Sequence, residues 1–507
     1  MNKSQDEFQA NRPAGYMKLL EDLGIDTIPN WHHSLVAKSN VHRVSQAAGQ
    51  VEEVYPKKYW PGETVGDHLE FALKYDGVNL AILSLIFRQL QETDLLNHIV
   101  SKPTGKYVRK LWFLFEFLTE KVLPLDDLSM GNYIDLLNPK DYCTNGAKIR
   151  IRRQRINDNL MGNRKFCPTV RKTEILLRYE ESQLTQRCEQ VVSGYSPALL
   201  RRALQYLYNK ETKSSFEIEK IHPTPSRTER FVSLLSLAEK DHFCKKAQLI
   251  KVQNRIVDER FRSSNYRINQ NYVGETVAWQ NEKIHFVSPR PEDLPNLMEG
   301  LISAHERMNE GTVSPVIHAA AISFGFVFLH PFEDGNGRLH RFLIHNILAR
   351  KGFTPRGLMF PISAAMLNKP GEYDYALESF SRPLLPLVDY SIDEAGHMTV
   401  QNETSVWYRF LDLTAQAEAL YGFIDNTIEE ELKNELDFLA NYDQTKVGIQ
   451  EIVDMPDKLI DLFIRFCLQN NGKLSKKKRE SQFSFLLEEE LTLLEKAVSS
   501  GYGSFEV

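Results

Sequence analysis

The stretch HPFEDGNGRLHR, His330 to Arg341, decides how this 507-residue chain is read. It lies where an apolar, helix-spaced run ends and a second helical run begins, so it is a turn between two helices. Gly335, Asn336 and Gly337 allow successive backbone N–H groups to face one anion, and the helix that follows adds the positive end of its dipole. Arg338 and Arg341 stand three apart on one helix face, where two guanidinium groups can reach a polyphosphate together. Asp334 sits at the lip of this nest, and a carboxylate beside phosphates is a natural Mg²⁺ ligand. His330, held by Pro331, can take a proton near neutral pH. Phe332 is apolar and is expected to turn inward and pin the loop. Each residue alone has an ordinary explanation as a cap, a turn or a surface ion pair. Their combination over twelve positions points to phosphate chemistry.

Outward from this turn, helices are expected at Leu297–Asn309, Val316–Leu329, Arg338–Arg350 and from Met359 onward. Between Thr312 and Phe332 there is no Asp, Glu, Lys or Arg, a length that could span a bilayer. Pro315, Pro331, His318, Ser323 and His330 shorten and polarise it, so the run reads as a central helix buried on all sides. Upstream, Tyr266–Val287 alternates in strand fashion around Gly274 and predicts a β-hairpin. Pro197–Tyr208 predicts a helix, and the two prolines of KIHPTPSR, Lys220–Arg227, stop any helix before them. Residues up to about 195 read mainly as helix, for instance Asp67–Gln91 as one element. Arg382–Asn402 reads as a linker, followed by a Leu- and Glu-rich helical region without a catalytic signature. The resulting division is an N-terminal helical domain, 1–195, with a target or regulatory role; a core, 196–385; and a C-terminal helical region, 386–507.

Composition bounds the remainder. At this length more than one domain is expected, and 42% hydrophobic residues with only 26 Gly and 22 Pro exclude collagenous and largely disordered classes. With 62 basic and 67 acidic residues, the net charge of −5 offers no global field for nucleic acid or an anionic membrane. The local basic stretch AKIRIRRQRI from Ala147, with Arg164, Lys165, Arg171 and Lys172, lacks interleaved stacking aromatics and reads as a solvated face. KLSKKKR, Lys473–Arg479, faces Glu488–Glu490 and is read as surface as well. Five scattered cysteines form no zinc spacing and are expected as reduced thiols, and the N-terminal MNKSQDEFQANRPAGYMKLLEDLG has no apolar leader core. A cytoplasmic, non-membrane protein is expected.

The string His330–Arg341 resembles the Fic-family signature H-x-F-x-[D/E]-G-N-G-R-x-x-R at all of its fixed positions. The resemblance covers about Glu211 to Phe380. It implies a mainly α, multi-domain helical protein with a Fic-type helical core and one β-hairpin flap near 266–287. It further implies transfer of AMP from ATP to a Ser, Thr or Tyr hydroxyl of a target protein or of the chain itself, with release of pyrophosphate. By position, His330 is the implied general base and Asp334 the implied holder of Mg²⁺. Gly335, Asn336 and Gly337 are the implied cradle of the α-phosphate, and Arg338 and Arg341 the implied partners of the β- and γ-phosphates. The flap is implied to hold the target by strand addition.

A shorter match, Ser215-Phe-Glu-Ile-Glu219-Lys220, is similar to the family's inhibitory helix [S/T]-x-x-x-E-[G/N], placed near 211–220. Ser215 and Glu219 fit; Lys220 replaces the usual Gly or Asn. The resemblance implies that Glu219 engages Arg341 and restrains the enzyme. Three readings stay open beside adenylylation: transfer from another nucleotide, removal of AMP, and a nucleotide-sensing regulator that binds protein or nucleic acid. The intact His330 argues against the last, since binding alone needs no base. The target protein and the oligomeric state, a homo-oligomer included, are not written in the sequence.

Overall fold

The computed structural model describes residues 11–47, 49–278 and 281–503. Residues 1–10 of the leader reading and the flap tip (279–280) lie outside the described residues. By packing, the chain divides into two compact units: Met1–Glu181, Ser233–Lys351 and Lys369–Tyr421 make the first, and Ser182–Val232, Gly352–Asn368 and Gly422–Val507 the second.

The first unit is organised by four helices: α1 (Lys246–Ile256), α2 (Leu294–Glu310), α3 (Pro315–Leu329) and α4 (Asn336–Arg350). Pro315 opens α3 at a position whose N–H has no intrahelical partner in any case, and all residues from Val316 to Leu329 are buried. A helix apolar on every face belongs at the centre, as its charge-free sequence indicates. It meets α2 through a pair of histidines: His318 Nε2 and His305 Nδ1 are 3.0 Å apart. Burial pushes His305 down to about 4 and His318 well below its ordinary value, so both sit in the core as neutral rings. Among the described residues no helix is long and apolar enough to cross a membrane.

Two strands, β1 (Tyr272–Ala278) and β2 (Asn281–Val287), form the expected antiparallel hairpin with Tyr272 opposite Val287. It starts six residues later than the alternation suggested, because the segment before it is tied by side chains to the His330 loop. A fifth helix, α5 (Pro370–Leu384), lies against β2.

Three expectations are corrected here. Residues up to 195 carry sheets as well as helices. Arg12–Pro13, His32–Val36, Gln50–Tyr55 and Arg43–Ala47 form a sheet in that order, with His32–Val36 parallel to Gln50–Tyr55. The basic stretch supplies Ile149–Ile151 to a three-stranded sheet. These strands are only two to six residues long, some in local hairpins and some paired with distant segments, which leaves little local periodicity to read. The element read as Asp67–Gln91 is two helices, Val65–Tyr75 and Leu80–Gln89. Gly77 adopts φ 84°, and the Asn79 side chain accepts from Ile82 N at 3.1 Å to cap the second helix. The break also sends the Asp76 carboxylate inward, where it accepts from Tyr16 N at 3.0 Å and meets His32 Nδ1 at 3.3 Å. The stretch read as a linker contains a small hairpin, Tyr390–Ile392 with Met398–Val400, whose turn is held by Asp393 accepting from His397 N at 2.8 Å.

Other readings hold. All five cysteines are buried and free. The basic cluster is neutralised locally: Lys148 bonds Asp135 at 2.8 Å, Arg153 Glu116 at 3.1 Å, Arg164 Glu120 at 2.9 Å and Arg171 Asp412 at 2.9 Å.

The second unit is helical. Its core gathers Ile460, Phe463, Ile464, Cys467, Phe483, Leu494 and Val498. Arg479 of the lysine-rich run bonds Glu488 at 2.6 Å. The helix read as Pro197–Tyr208 runs to Glu217, capped at its start by Ser196, whose side chain accepts from Leu199 N at 3.2 Å. Its end is a Schellman turn: Ile221 N donates to Phe216 O at 3.1 Å and Lys220 N to Glu217 O at 2.8 Å. That turn needs a left-handed residue, and Lys220 occupies the position with φ 57°. The Lys at the place where Gly or Asn is usual is therefore a matter of backbone strain. Lys220→Gly is expected to stabilise this unit by about 1 kcal/mol, seen as a higher urea midpoint. An unchanged or lower midpoint would contradict the account.

Candidate active site

Local geometry begins where α3 ends. His330 leaves the helix in the left-handed region, φ 49° and ψ 58°, and so turns the chain out of the core. Its Nδ1 lies 3.1 Å from Val327 O; a carbonyl only accepts, so Nδ1 carries the proton and Nε2 is left as an acceptor. The half-buried ring lies beside Phe286 of β2, centroids 6.4 Å apart. Phe286 in turn packs near Phe328, Phe380 and Tyr408, an apolar floor beneath the hairpin.

The loop is closed on itself by Asn336. Its Oδ1 accepts from Phe332 N at 3.0 Å, and its Nδ2 donates to Phe332 O at 2.7 Å. Phe332 is fully buried and near Tyr266 and Phe326, as expected of a pin. Asn336 is 2% exposed, so its side chain shapes the loop, and only its backbone is placed to meet a ligand. Leu339 N donates to Gly335 O at 2.9 Å. The N–H groups of Asn336, Gly337 and Arg338 precede that bond and are aimed out of the end of α4.

Arg338 is fully buried; its Nη2 donates to Asp334 Oδ1 at 2.6 Å and its Nη1 to Ile256 O at 3.3 Å. Arg341, one turn on, is 2% exposed. Asp334 is a third exposed, and its carbonyl accepts from Gln253 Nε2 at 3.2 Å. No group of three or more His, Cys, Asp or Glu able to hold a metal is found among the described residues. A single carboxylate at an anion-binding helix end suits Mg²⁺ that takes its remaining ligands from substrate phosphates and water.

His330, Asp334 and the glycines thus share one loop at the mouth of α4. Ser215 and Glu219 belong to the second unit. Ser215 is fully buried on the helix Pro197–Glu217, and Glu219 sits half-buried in the Schellman turn, its N–H donating to Phe216 O at 3.1 Å. Sequence reasoning missed Gln253, Val257, Arg267 and Asn271, which carry no motif and touch the loop only through folding.

Residues 241–348 match the model of the Fic/DOC family. The chain carries a Fic/DOC domain. The match begins just before α1, spans the hairpin and ends within α4, and so contains the whole loop. The protein adenylyltransferase Fic of Culex quinquefasciatus is 27% identical over 163 residues, 31% of this chain and 29% of that protein. Its counterpart in Drosophila yakuba is 37% identical over 90 residues, 18% of this chain and 16% of that protein. The chain thus spans less than a third of the length of these relatives. A Fic family protein from Desulfovibrio desulfuricans superposes with a TM-score of 0.34 at 17% identity, over 66% of this chain and 85% of that one.

Within residues 241–348, Gly335 of the loop leaves no room for a side chain. It has φ 89°, and a Cβ there would fall 2.7 Å from Val257 Cγ1. Val257 is fully buried against it. Gly335→Ala is expected to cost about 1–3 kcal/mol, through strain and displacement of α1, measured by chemical denaturation. Wild-type stability in that variant would show that the loop tolerates another backbone path.

Proposed function

We propose that this protein is an adenylyltransferase that moves AMP from ATP to a Ser, Thr or Tyr hydroxyl of a target protein or of itself. The observation that carries the reading is the pairing, on one Fic/DOC loop, of a histidine with Nε2 left as a proton acceptor and a helix end whose N–H groups face outward. The names of the Culex and Drosophila relatives support it.

In this reading His330 Nε2 takes the proton of the attacking hydroxyl. The oxygen–phosphorus bond forms at the α-phosphorus, the bond to the β-phosphate oxygen breaks, and pyrophosphate leaves with its electron pair. The N–H groups at the start of α4 stabilise the charge on the α-phosphate oxygens. Arg338 and Arg341 serve the β- and γ-phosphates. Arg338 also holds Asp334 at the lip, so the guanidinium and the carboxylate that would hold Mg²⁺ are set in place together. Mg²⁺, when bound, supplies positive charge to the polyphosphate. The hairpin β1–β2 offers its edge to the target backbone.

Two experiments test this. His330→Ala is expected to abolish AMP incorporation, read by mass spectrometry, while ATP affinity stays within about threefold, since the base acts on the hydroxyl rather than on the nucleotide. Undiminished incorporation would overturn the mechanism. The second concerns restraint: we assign Glu219 the inhibitory part that its motif implies. Glu219→Gly is expected to raise auto- or target adenylylation at matched ATP and Mg²⁺, and equal incorporation by wild type would remove Glu219 from regulation.

A further inference from the structure

Arg267 is 5% exposed, and each of its four hydrogen bonds goes to a backbone carbonyl. Its main-chain N donates to Pro331 O at 2.9 Å and its Nε to His330 O at 2.8 Å. Nη1 donates to Asn269 O at 2.8 Å and Nη2 to Pro289 O at 2.6 Å. Burial lowers its pKa to about 10, which leaves it charged at neutral pH. Asn271 extends the pattern, its Nδ2 donating to Phe332 O at 3.1 Å. Three consecutive loop carbonyls, His330 to Phe332, are thereby held by the segment that enters the hairpin. Pro289, which leaves the hairpin, is held by the same guanidinium.

The backbone of His330 needs such a hold. A non-glycine residue in the left-handed region is disfavoured by roughly 1–2 kcal/mol, and relaxation would swing the ring away from Val327 O, the acceptor that fixes its proton on Nδ1. We propose that Arg267 is the positioning residue that keeps His330 in this conformation. It sets which ring nitrogen carries the proton and ties the base to both roots of the hairpin. Strand addition at the hairpin would then be felt at the base through one side chain. The inference rests on the adenylyltransferase reading only in taking His330 as the group that acts on the attacking hydroxyl.

The test compares the full-length wild type with Arg267→Met and Arg267→Lys. Three quantities are measured: kcat for AMP incorporation, ATP affinity, and the His330 tautomer by ¹⁵N-histidine NMR, assigned with His330→Ala. Arg267→Met is expected to lower kcat roughly 100-fold, the scale of a misplaced reacting group, with ATP affinity within about threefold. The His330 signal should move from the Nδ1–H tautomer to a mixture. Arg267→Lys, which keeps one charged donor, should recover part of both effects. If Arg267→Met does not fold, the tautomer and kcat of Arg267→Lys carry the test, with a His330 tautomer mixture and a kcat below that of the wild type expected. An unchanged His330 signal, or a kcat loss that only follows the folded fraction, would overturn the proposal. If the wild type incorporates no AMP, the activity reading fails alone, and the tautomer in the Arg267 variants still decides the role of Arg267.

Discussion

The side-chain amide of Asn336 closes a ring on the backbone of Phe332, accepting from its N–H and donating to its C=O. This small closure fixes where α4 begins relative to where α3 ends. Six residues link the two helices, and without an internal brace so short a link could present its N–H groups in many directions. With the brace, the buried Phe332 anchors the link below and the left-handed Gly335 starts α4 above. The outward face of the helix end follows from that. A side chain spent on shape is as necessary to the site as one that would touch a substrate.

The pair Arg338–Asp334 adds an electrostatic constraint. A guanidinium with no exposed surface would be costly alone, and the carboxylate at 2.6 Å together with the Ile256 carbonyl offsets that cost. The charge of Arg338 is therefore balanced within the loop and the end of α1, and the mouth of α4 is an ordered arrangement rather than a loose positive patch.

What could be read in the sequence and what could not divide along a physical line. The loop from His330 to Arg341 is contiguous, and glycine, asparagine and proline mark its backbone directly. The central helix announces itself through a missing charge over twenty residues, which only burial on all sides explains. By contrast, Arg267 reaches the loop from some sixty residues away, and nothing in YRINQ distinguishes it from a surface arginine. The N-terminal strands escaped because each is only two to six residues long, too short for alternation to stand out. The break at Asp76–Gly77 escaped because apolar spacing continues across it. Lys220 looked like a departure from a motif and is one, yet its backbone takes the conformation that the usual glycine would.

The second unit is assembled from three separated stretches, Ser182–Val232, Gly352–Asn368 and Gly422–Val507. The helix Pro197–Glu217 buries Leu199, Ala203 and Leu207, and its packing partners within this unit include Ile362–Asn368 and Lys433–Ile452. On the ribosome that helix emerges more than two hundred residues before the last of those partners. Its apolar stripe stays uncovered through the synthesis of most of the Fic/DOC domain, at roughly 5–20 residues per second. The interval lasts tens of seconds, in which a chaperone that grasps amphipathic helices has a natural client.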